Sequence, residues 1–283
     1  RDKKFLENLF LNISENNQKF QAVIHLAGLK SVYESNLRPI QYWDVNVNGT
    51  INLLNVMNKF NCKSIIFSSS ATVYGNSKEV FLKEELPFNP CNPYGETKAT
   101  IENILSNVFK SDSDNWRICN LRYFNPVGAD PSGLIGEKIS LNPTNLMPYL
   151  NLVAGRLEKS LKIFGNNWPT KDGTAIRDYV HVSDIAYGHI LAMSYLLSNK
   201  SQNLNINLGT GQGTSVLELI ETFQRVNNCK IIYEFKERRL GDVCSLVADN
   251  SYAKSILQWS PSRSIEEMCK DSWNWFLKNK SNL

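Results

Sequence analysis

The segments KSIIFSSSATVYG (63–75) and NPYGETKATIENILSNVFK (92–110) decide the fold that this sequence predicts. The first begins with an apolar run, KSIIFSSS (63–70), which is typical of a buried strand and ends in three serines. The second places apolar residues at helical spacing, at Ile101, Ile104, Leu105 and Val108. A buried strand followed by an amphipathic helix is one unit of a sheet that helices cover.

The same alternation extends in both directions along the chain. Five further strands are predicted, at AVIHLAG (22–28), WRICNLRYFN (116–125), RDYVHV (177–182), NINLG (205–209) and KIIYEF (230–235). Further helices are predicted at 50–60, at 183–197, after Ser215 and at the C-terminal end. Strands that alternate with helices of this length predict an α/β fold with a doubly wound, Rossmann-like parallel sheet. The C-terminal half adds a smaller lobe, and residues 129–176 show no long periodic pattern.

Composition argues against several classes of protein. Hydrophobic residues make up 42% and charged residues 20% of the 283 residues, as in an ordinary globular protein. The net charge of +4 is spread along the chain without a basic run, so no nucleic-acid partner is predicted. The longest apolar stretches, such as AVIHLAGL (22–29), are far shorter than the roughly 20 residues that span a bilayer, so no membrane partner is predicted.

Cysteine and histidine usage points to a cytoplasmic protein without a metal site. The six cysteines lie apart, with no C-x-x-C pair, which is typical of reduced thiols in a cytosolic protein: Cys62, Cys91, Cys119, Cys229, Cys244 and Cys269. The three histidines do not cluster at the spacing of metal ligands: His25, His181 and His189. Glu84 and Glu85 are interpreted as part of a solvated loop, and GTGQGT (209–214) as a turn.

Tyr94 and Lys98 form a pair that can carry proton transfer. They are one helical turn apart, so their side chains project from the same face. A free phenol has a pKa of about 10, and a neighbouring ammonium lowers that value and makes the tyrosine a usable general base. Taken alone, such a pair is usually a surface tyrosine beside a solvated lysine. The serine-ended strand upstream favours a site, because ligands collect outside the carboxyl ends of parallel strands.

Motifs in a fixed order resemble those of the UDP-glucose 4-epimerases, within the extended short-chain dehydrogenase/reductase family. They are HLAGLKSVYES (25–35), NVNGT (46–50), SSSATVYG (68–75), NPYGETK (92–98), RYFNPVGADPSG (122–133), NLMPY (145–149), IFGNNWPTKDGTAIRDYVHVSDIA (163–186) and RRLGD (238–242). RDYVHVSDIA (177–186) and Y-x-x-x-K indicate only the wider family, whereas RYFNPVGADPSG and IFGNNWPTKDGT resemble the 4-epimerases in particular. Related 4,6-dehydratases carry an Asp-Glu pair that residues 68–75 lack.

The resemblance implies a role for each matching residue. Tyr94 is expected to be the base on the sugar 4-hydroxyl, Lys98 to hold the nicotinamide ribose and acidify Tyr94, and Ser70 to hydrogen-bond O4. The NAD-lining residues are expected to be Leu26, Ala27, Gly28, Leu29, Lys30, Ser68, Tyr94, Lys98, Tyr123 and Phe124. The residues that hold the UDP-hexose are expected to be Ser70, Asn125, Asn145, Leu146, Phe164, Arg177, Arg239, Asp242 and Leu246.

The implied reaction interconverts UDP-glucose and UDP-galactose by transient oxidation at sugar C4. Residues 1–128 and 177–200 are expected to form the NAD-binding domain, and residues 129–176 and 201–283 the UDP-sugar lobe. A homodimer is expected to form through helices such as 50–60 and 99–110. The alternatives are a UDP-N-acetylglucosamine 4-epimerase, another nucleotide-sugar dehydratase or reductase, and an inactive fragment.

Three features depart from the family pattern. Nothing before Ala22 resembles the strand, G-x-x-G-x-x-G turn and helix that grip a dinucleotide, so about two strand–helix units are expected to be missing at the N-terminus. Val45 stands where the family offers an Asn to the cofactor. Leu246 stands where residue size sets the width of the sugar pocket, and its intermediate size predicts plain hexoses as main substrates with weak N-acetyl activity.

Overall fold

Two units organise the chain in the computed structural model, which describes residues 1–16, 18–138, 143, 145–239 and 241–282. The first unit consists of Arg1–Ser77, Glu84–Arg122 and His189–Asn207. The second unit consists of Lys78–Lys83, Tyr123–Gly188 and Leu208–Leu283. The first unit therefore takes up the chain again at His189, whereas the predicted return begins at residue 177. What each part binds stays a prediction.

Helices and strands alternate along most of the described chain. The α-helices are α1 Lys3–Glu15, α2 Val32–Leu37, α3 Pro39–Tyr42, α4 Gly49–Lys59, α5 Pro93–Ser111, α6 Leu146–Ala154, α7 Val182–Ser198, α8 Val216–Asn227, α9 Ser251–Leu257 and α10 Ile265–Asn279. The strands are β1 Val23–His25, β2 Ser64–Ser70, β3 Arg117–Tyr123, β4 Asn125–Val127, β5 Leu161–Phe164, β6 Ile176–His181, β7 Gln202–Leu208, β8 Gly213–Ser215, β9 Tyr233–Lys236 and β10 Ser245–Leu246. A π-helical segment spans Trp43–Asn48, and short 3₁₀ turns span Ala71–Val73 and Lys280–Asn282.

The first unit is built on a sheet with the strand order β1-β2-β3-β7. β1 and β2 are parallel, with His25 opposite Phe67, so both strands end at the same edge of the sheet. Side chains from α1, α4 and α5 pack onto one face of this sheet. Their buried core includes Phe10, Val56, Met57, Ile65, Phe67, Ile101, Leu105, Trp116 and Ile118. Burial on this scale is the main stabilising contribution to the unit.

The second unit combines short strand groups with three core helices. β6 lies between β4 and β10, parallel to both, and also pairs with β8 in antiparallel orientation. β5 and β9 form a separate parallel pair. The core side chains come mainly from α6, α8 and α10 and from the strands, and include Met147, Leu150, Leu161, Ile163, Leu219, Phe223, Met268 and Cys269.

The predicted α/β fold with parallel strand pairing is confirmed, together with several element boundaries. The predicted strand 63–70 corresponds to β2, and the helix expected after Ser215 is α8, which begins with the predicted Ser215–Glu218 capping box. The start of α8 could be predicted because the capping box joins residues only three positions apart: Ser215 and Glu218 each supply a partner for the other's backbone N–H.

Other expectations need correction. α1 was not expected, because its apolar face is weak as a local pattern and is covered only when Phe10 reaches the core. The stretch 129–176 contains α6 and β5. Both elements are too short for their apolar residues to show a helical or strand periodicity in the sequence. The predicted strand 116–125 divides into β3 and β4 at Phe124. GTGQGT (209–214) is only partly a turn, since Gly213 begins β8. Residues 139–142, Asn17, Thr144 and Leu240 lie outside the described residues.

Within the part of the chain that the structure describes, no helix is both long enough and apolar enough to cross a bilayer.

Candidate active site

Helix α5 begins in a way that fixes Tyr94 and Lys98 at its first turns. The Asn92 side chain accepts a hydrogen bond from the Gly95 backbone at 2.9 Å, and Pro93 occupies the first helical position. A side-chain carbon on Gly95 would lie 2.9 Å from the Thr72 carbonyl oxygen, so only glycine lets the helix approach the end of β2 this closely. Tyr94 and Lys98 consequently lie buried on one face of the helix, 8% and 5% exposed.

Two features of its surroundings shift the pKa of Tyr94 in opposite directions. Burial raises the pKa of the Tyr94 phenol, and a hydrogen bond with the Ser70 side chain opposes that rise. The Lys98 ammonium lies 5.7 Å from the centre of the Tyr94 ring, and the Tyr42 ring meets it edge-on at 6.5 Å. A phenol in such a place needs a neighbouring positive charge before it can act as a base at neutral pH.

Lys98 can supply that charge. Its ammonium donates a hydrogen bond to the Ser68 carbonyl oxygen at 2.7 Å and lies 4.7 Å from the centre of the Phe67 ring. Burial lowers the pKa of Lys98 to about 8, and the negative charge of Glu102 opposes this shift. At neutral pH the Lys98 side chain is therefore mainly charged, and it loses its proton as the pH rises through about 8.

Ser70 ends β2 and turns its hydroxyl toward the same site. Its oxygen accepts hydrogen bonds from the Thr72 backbone at 3.2 Å and from the Thr72 hydroxyl at 3.0 Å. These contacts cap the 3₁₀ turn Ala71–Val73 and hold the serine in place next to Tyr94. Ser70 and the pair Tyr94 and Lys98, predicted from two separate motifs (68–75 and 92–98), are thus brought together within the first unit.

The loop that follows β1 is fixed by a residue that sequence reasoning overlooked. The Asn46 side chain accepts a hydrogen bond from the Leu29 backbone N–H at 2.7 Å and donates one to the Leu29 carbonyl at 3.1 Å. It also donates to the Thr97 hydroxyl at 3.1 Å, which links the loop to α5. Asn46 is buried in the π-helical segment, next to Val45, the position where the resemblance implied an Asn. Its only sequence signal is its place in NVNGT (46–50).

The residues around the loop after β1 leave room for a bound cofactor. Leu26, Ala27 and Gly28 are exposed, so a ligand can reach them. A side-chain carbon on Gly28 would lie 3.0 Å from the Asn46 Oδ1 atom and 3.9 Å from Lys98 Nζ, so the glycine keeps that space open. Ser68 shares this edge through its carbonyl, which accepts from Lys98. Among the described residues, no group of three or more His, Cys, Asp or Glu could hold a metal ion.

The second unit gathers several of the residues expected to hold UDP. The Arg239 guanidinium lies 3.7 Å from the centre of the Phe164 ring. Burial raises the pKa of Asp242, and the positive charges of Arg177 and Arg239 oppose that rise. Leu246 lies opposite Arg177 in the pairing of β10 with β6. Two guanidinium groups, one carboxylate and one aromatic face near each other suit a nucleoside diphosphate.

The remaining expected residues occupy ordinary structural positions. Asn125 lies opposite Tyr179 in the pairing of β4 with β6. Phe124 is buried, and its backbone N–H donates to the Leu208 carbonyl at 3.2 Å. Asn145 is exposed at the start of α6 and makes no side-chain capping bond there, with Leu146 half-buried beside it. The roles of these residues, of Tyr123 and of Lys30 stay predictions.

Comparisons with known proteins agree on the family. The family model described as GDP-mannose 4,6 dehydratase matches residues 1–272. UDP-glucose 4-epimerase 2 of Oryza sativa subsp. japonica is 47% identical over 280 residues, which are 99% of this chain and 67% of that protein. UDP-glucose 4-epimerase of Bacillus subtilis (strain 168) is 46% identical over 279 residues, which are 98% of this chain and 80% of that protein.

A solved structure is similar throughout the fold. The UDP-glucose 4-epimerase from Bifidobacterium longum, crystallised in complex with NAD+ and UDP, is 44% identical, with a TM-score of 0.93. The likeness covers 100% of this chain and 82% of that chain. With the buried Ser70–Tyr94–Lys98 group at the end of a parallel strand, these matches place the chain in the UDP-glucose 4-epimerase family of the extended short-chain dehydrogenases and reductases.

Proposed function

We propose that this chain interconverts UDP-glucose and UDP-galactose with NAD as cofactor, through transient oxidation at sugar C4. The observation that carries the proposal is the buried group formed by Ser70, Tyr94 and Lys98, with the open Gly28 loop linked to it through Asn46. The relatives named UDP-glucose 4-epimerase support the same assignment.

In this mechanism the residues of the first unit move and hold the proton. The Tyr94 oxygen takes the proton of the sugar 4-hydroxyl, and the Lys98 ammonium stabilises the phenolate that accepts it. The Ser70 hydroxyl hydrogen-bonds O4 and orients it toward Tyr94. When bound, NAD would supply a reversible hydride acceptor for sugar C4. Tyr94 would return its proton to O4 when C4 regains the hydride on its opposite face. Leu26 to Lys30, Ser68, Tyr123 and Phe124 are the residues we assign to holding the cofactor.

The second unit is assigned the task of anchoring the nucleotide. Arg177 and Arg239 would meet the diphosphate, Asp242 would accept from the ribose hydroxyls, and Phe164 would stack near the uracil. Asn125, Asn145 and Leu146 complete this set. Because the unreacting UDP group provides the anchor, the hexose itself is held loosely. The 4-keto sugar can then rotate in the site and present its opposite face.

The experiment that tests the function combines cofactor content with product analysis. The purified chain is denatured and the released nicotinamide is measured, and a second sample is incubated with UDP-galactose and NAD. We expect bound NAD and accumulation of UDP-glucose. A 4-keto-6-deoxy product would instead indicate a dehydratase. Absence of both NAD and product would contradict the proposal for this chain and favour the inactive alternative.

Leu246 is proposed to set the choice of hexose. A residue of intermediate size leaves a sugar pocket that suits plain hexoses better than N-acetylhexosamines. We expect turnover of UDP-glucose to exceed that of UDP-N-acetylglucosamine, and Leu246→Cys to narrow the difference. Equal rates for both sugars in the unmodified chain would contradict this ranking and favour the UDP-N-acetylglucosamine 4-epimerase alternative.

Assembly and location are proposed on narrower grounds. A homodimer through α4 and α5 is supported by the exposed apolar surface next to the start of α4, where Trp43 and Ile51 are 38% and 39% exposed. Sedimentation of the purified chain, with Ile51→Glu as the variant, tests the dimer.

A cytoplasmic location is supported by the cysteines, all six of which are free thiols.

A further inference from the structure

Helix α5 carries a third buried group in line with its two proposed catalytic residues. Tyr94, Lys98 and Glu102 are each four residues apart, so the three side chains lie on one face of the helix. Glu102 is only 3% exposed. A carboxylate is rarely buried to this extent without a partner, because removal from water penalises the charged form. Neither the proposed chemistry nor the proposed ligand contacts use it.

Glu102 is held by one residue from each of two neighbouring strands. Arg122 of β3 donates to both of its carboxylate oxygens, with Nη2 to Oε2 at 2.7 Å and Nε to Oε1 at 3.0 Å. The Ser69 hydroxyl of β2 donates a hydrogen bond to the same carboxylate. We refer to Ser69, Glu102 and Arg122 as the clamp. A bidentate pair of this kind is directional, so it fixes the position of the helix relative to both strands.

The arginine of the clamp is itself fixed from the other side. Its Nη1 atom donates to the Tyr74 hydroxyl at 2.9 Å and to the Glu84 carbonyl at 3.0 Å. Tyr74 in turn donates to Asn207 Oδ1 at 2.6 Å, and the Asn207 backbone donates to the Glu84 carboxylate at 2.8 Å. Glu84 is therefore a half-buried member of a network within the first unit, and its interpretation as a solvated loop residue is wrong.

The clamp acts where the serine run of β2 meets α5. Three consecutive serines each contact one of the three helix residues: the Ser68 carbonyl meets Lys98, the Ser69 hydroxyl meets Glu102, and the Ser70 side chain meets Tyr94. The Ser69 contact is the one whose helix residue is also held by a bidentate ion pair, from Glu102 to Arg122. A shift of α5 along β2 would strain this pair and move the contacts of Lys98 and Tyr94 with it.

We propose that Glu102 is a positioning residue, whose clamp with Ser69 and Arg122 sets the register of α5 on β2 and so holds Tyr94 and Lys98 at their reacting positions. The inference rests on the proposed function, since it concerns the same proton transfer. A buried ion pair is weak evidence for stability, because an apolar pair of similar volume often replaces it without loss. The role proposed for the ion pair here is to fix the positions of Tyr94 and Lys98 on the same helix.

Several charged or titratable groups surround the residues that the test reads. Lys98 is faced by His25 from β1 and by Glu102 from its own helix, and Tyr94 by Tyr42 with its partner Glu34. Glu102 is faced by Arg122 and Cys119 from β3. Ser69→Ala keeps every one of these charged or titratable groups, so a shift of the Tyr94 titration in that variant reports the position of α5. A variant without Glu102 also loses a charge that acts on Lys98, and its shift is read together with that of Ser69→Ala.

The first variant is Ser69→Ala, which removes one hydrogen bond and leaves the ion pair intact. We expect kcat for UDP-galactose to fall about tenfold or more, since small misplacements of reacting groups are costly. KM is expected to stay unchanged, because the proposed UDP anchor is elsewhere. The matched control is Ser272→Ala, which removes a buried serine that accepts from Asn151 at 2.8 Å in the second unit. The control should lose similar stability and keep its kcat.

The second variant is the double substitution Glu102→Gln with Arg122→Met. The single Glu102→Gln change would leave a buried, unpaired guanidinium and could simply unfold the chain, whereas the double change removes both charges. We expect a folded protein with a reduced kcat. The titration of Tyr94 is the readout that a purely structural role would leave unchanged. It is followed by the phenolate absorbance, and the part of that absorbance that Tyr94→Phe abolishes is assigned to Tyr94. The titration should shift to higher pH in Ser69→Ala and in the double variant.

The outcomes separate the two proposals. Wild-type kcat and an unshifted Tyr94 titration in both clamp variants would overturn the positioning role, whatever their stability. An unmodified chain without epimerase activity would overturn the proposed function, while the phenolate titration would still show whether the clamp positions Tyr94 beside Lys98.

Discussion

At the scale of single residues, Tyr94 depends on its neighbours for its proposed role. Burial alone raises the pKa of its phenol and opposes proton abstraction. Lys98 is the nearby positive charge on the same helix face, and its own pKa is lowered to about 8 by burial. Burial is thus the main cause of both shifts, and it disfavours the charged form of each residue.

Replacing Lys98 is expected to remove most of the activity. Lys98→Met deletes the charge that favours the Tyr94 phenolate, so kcat at neutral pH should fall by about 10²–10⁴-fold. In the unmodified chain, activity should decline as the pH rises through about 8, where Lys98 loses its proton. The matched control is Lys110→Met, which removes an exposed lysine from the last turn of the same helix. An unchanged pH profile in Lys98→Met would contradict the assignment.

His25 is expected to make the first unit sensitive to acid. Burial is the main cause, and the charge of Lys98 a lesser one, that lowers the His25 pKa from 6.5 to about 4. Between these two values the unfolded chain binds a proton that the folded chain does not, so stability falls as the pH is lowered from 6.5 to 4. The full effect is about 3 kcal/mol.

The measurement is urea unfolding of the unmodified chain and of His25→Gln at pH 7 and pH 4.5. Glutamine cannot titrate and keeps a polar group near Thr50, which the histidine Nε2 contacts at 2.8 Å. The variant should lose less free energy of unfolding between the two pH values than the unmodified chain does. Equal losses would show that His25 does not stay neutral in the folded state.

At the scale of secondary structure, the start of α5 couples helix stability to the site. The Asn92 cap and Pro93 define where the helix begins, and Tyr94 follows at once. Loosening the first turn therefore moves the proposed base before it disturbs the core. α10 begins with a comparable device, a Ser264–Glu267 capping box, at a helix that carries none of the proposed site residues.

Asn92→Ala is expected to cost about 1 kcal/mol in unfolding free energy, as cap removal usually does. Ser264→Ala should cost a similar amount, which makes it the matched control. Only Asn92→Ala should also lower kcat, because only that cap precedes Tyr94. Thermal unfolding and steady-state rates of both variants check this prediction, and equal kcat values would refute the coupling.

At the scale of the whole molecule, the two units carry different proposed tasks. Proton transfer is assigned to the first unit and nucleotide anchoring to the second, where Arg177, Arg239 and Asp242 influence one another. Substitutions in the first unit should therefore act mainly on kcat. Substitutions among the anchoring residues should act mainly on KM, since they remove binding that is present before and during the reaction.

Arg239→Ala is expected to raise KM for UDP-galactose by about 10- to 100-fold with little change in kcat, because a charged hydrogen bond contributes roughly 1.5–3 kcal/mol. Arg238→Ala is the control, since that neighbouring guanidinium lies 3.8 Å from the centre of the Trp168 ring instead. The effect on KM should weaken at high salt. Equal KM values for the two variants would contradict the assignment of Arg239 to the diphosphate.

The sequence by itself determined the features that depend on near neighbours in the chain. The periodicity of 99–110 places Tyr94 and Lys98 on one helix face, and Ser215 with Glu218 marks the start of α8, because helical geometry and capping act within one or two turns. Only the tertiary structure decided the partners of Asn46, Glu102 and Asp242. Their contacts join residues that are distant in the chain, such as Asn46 with Thr97, and packing of whole elements selects them.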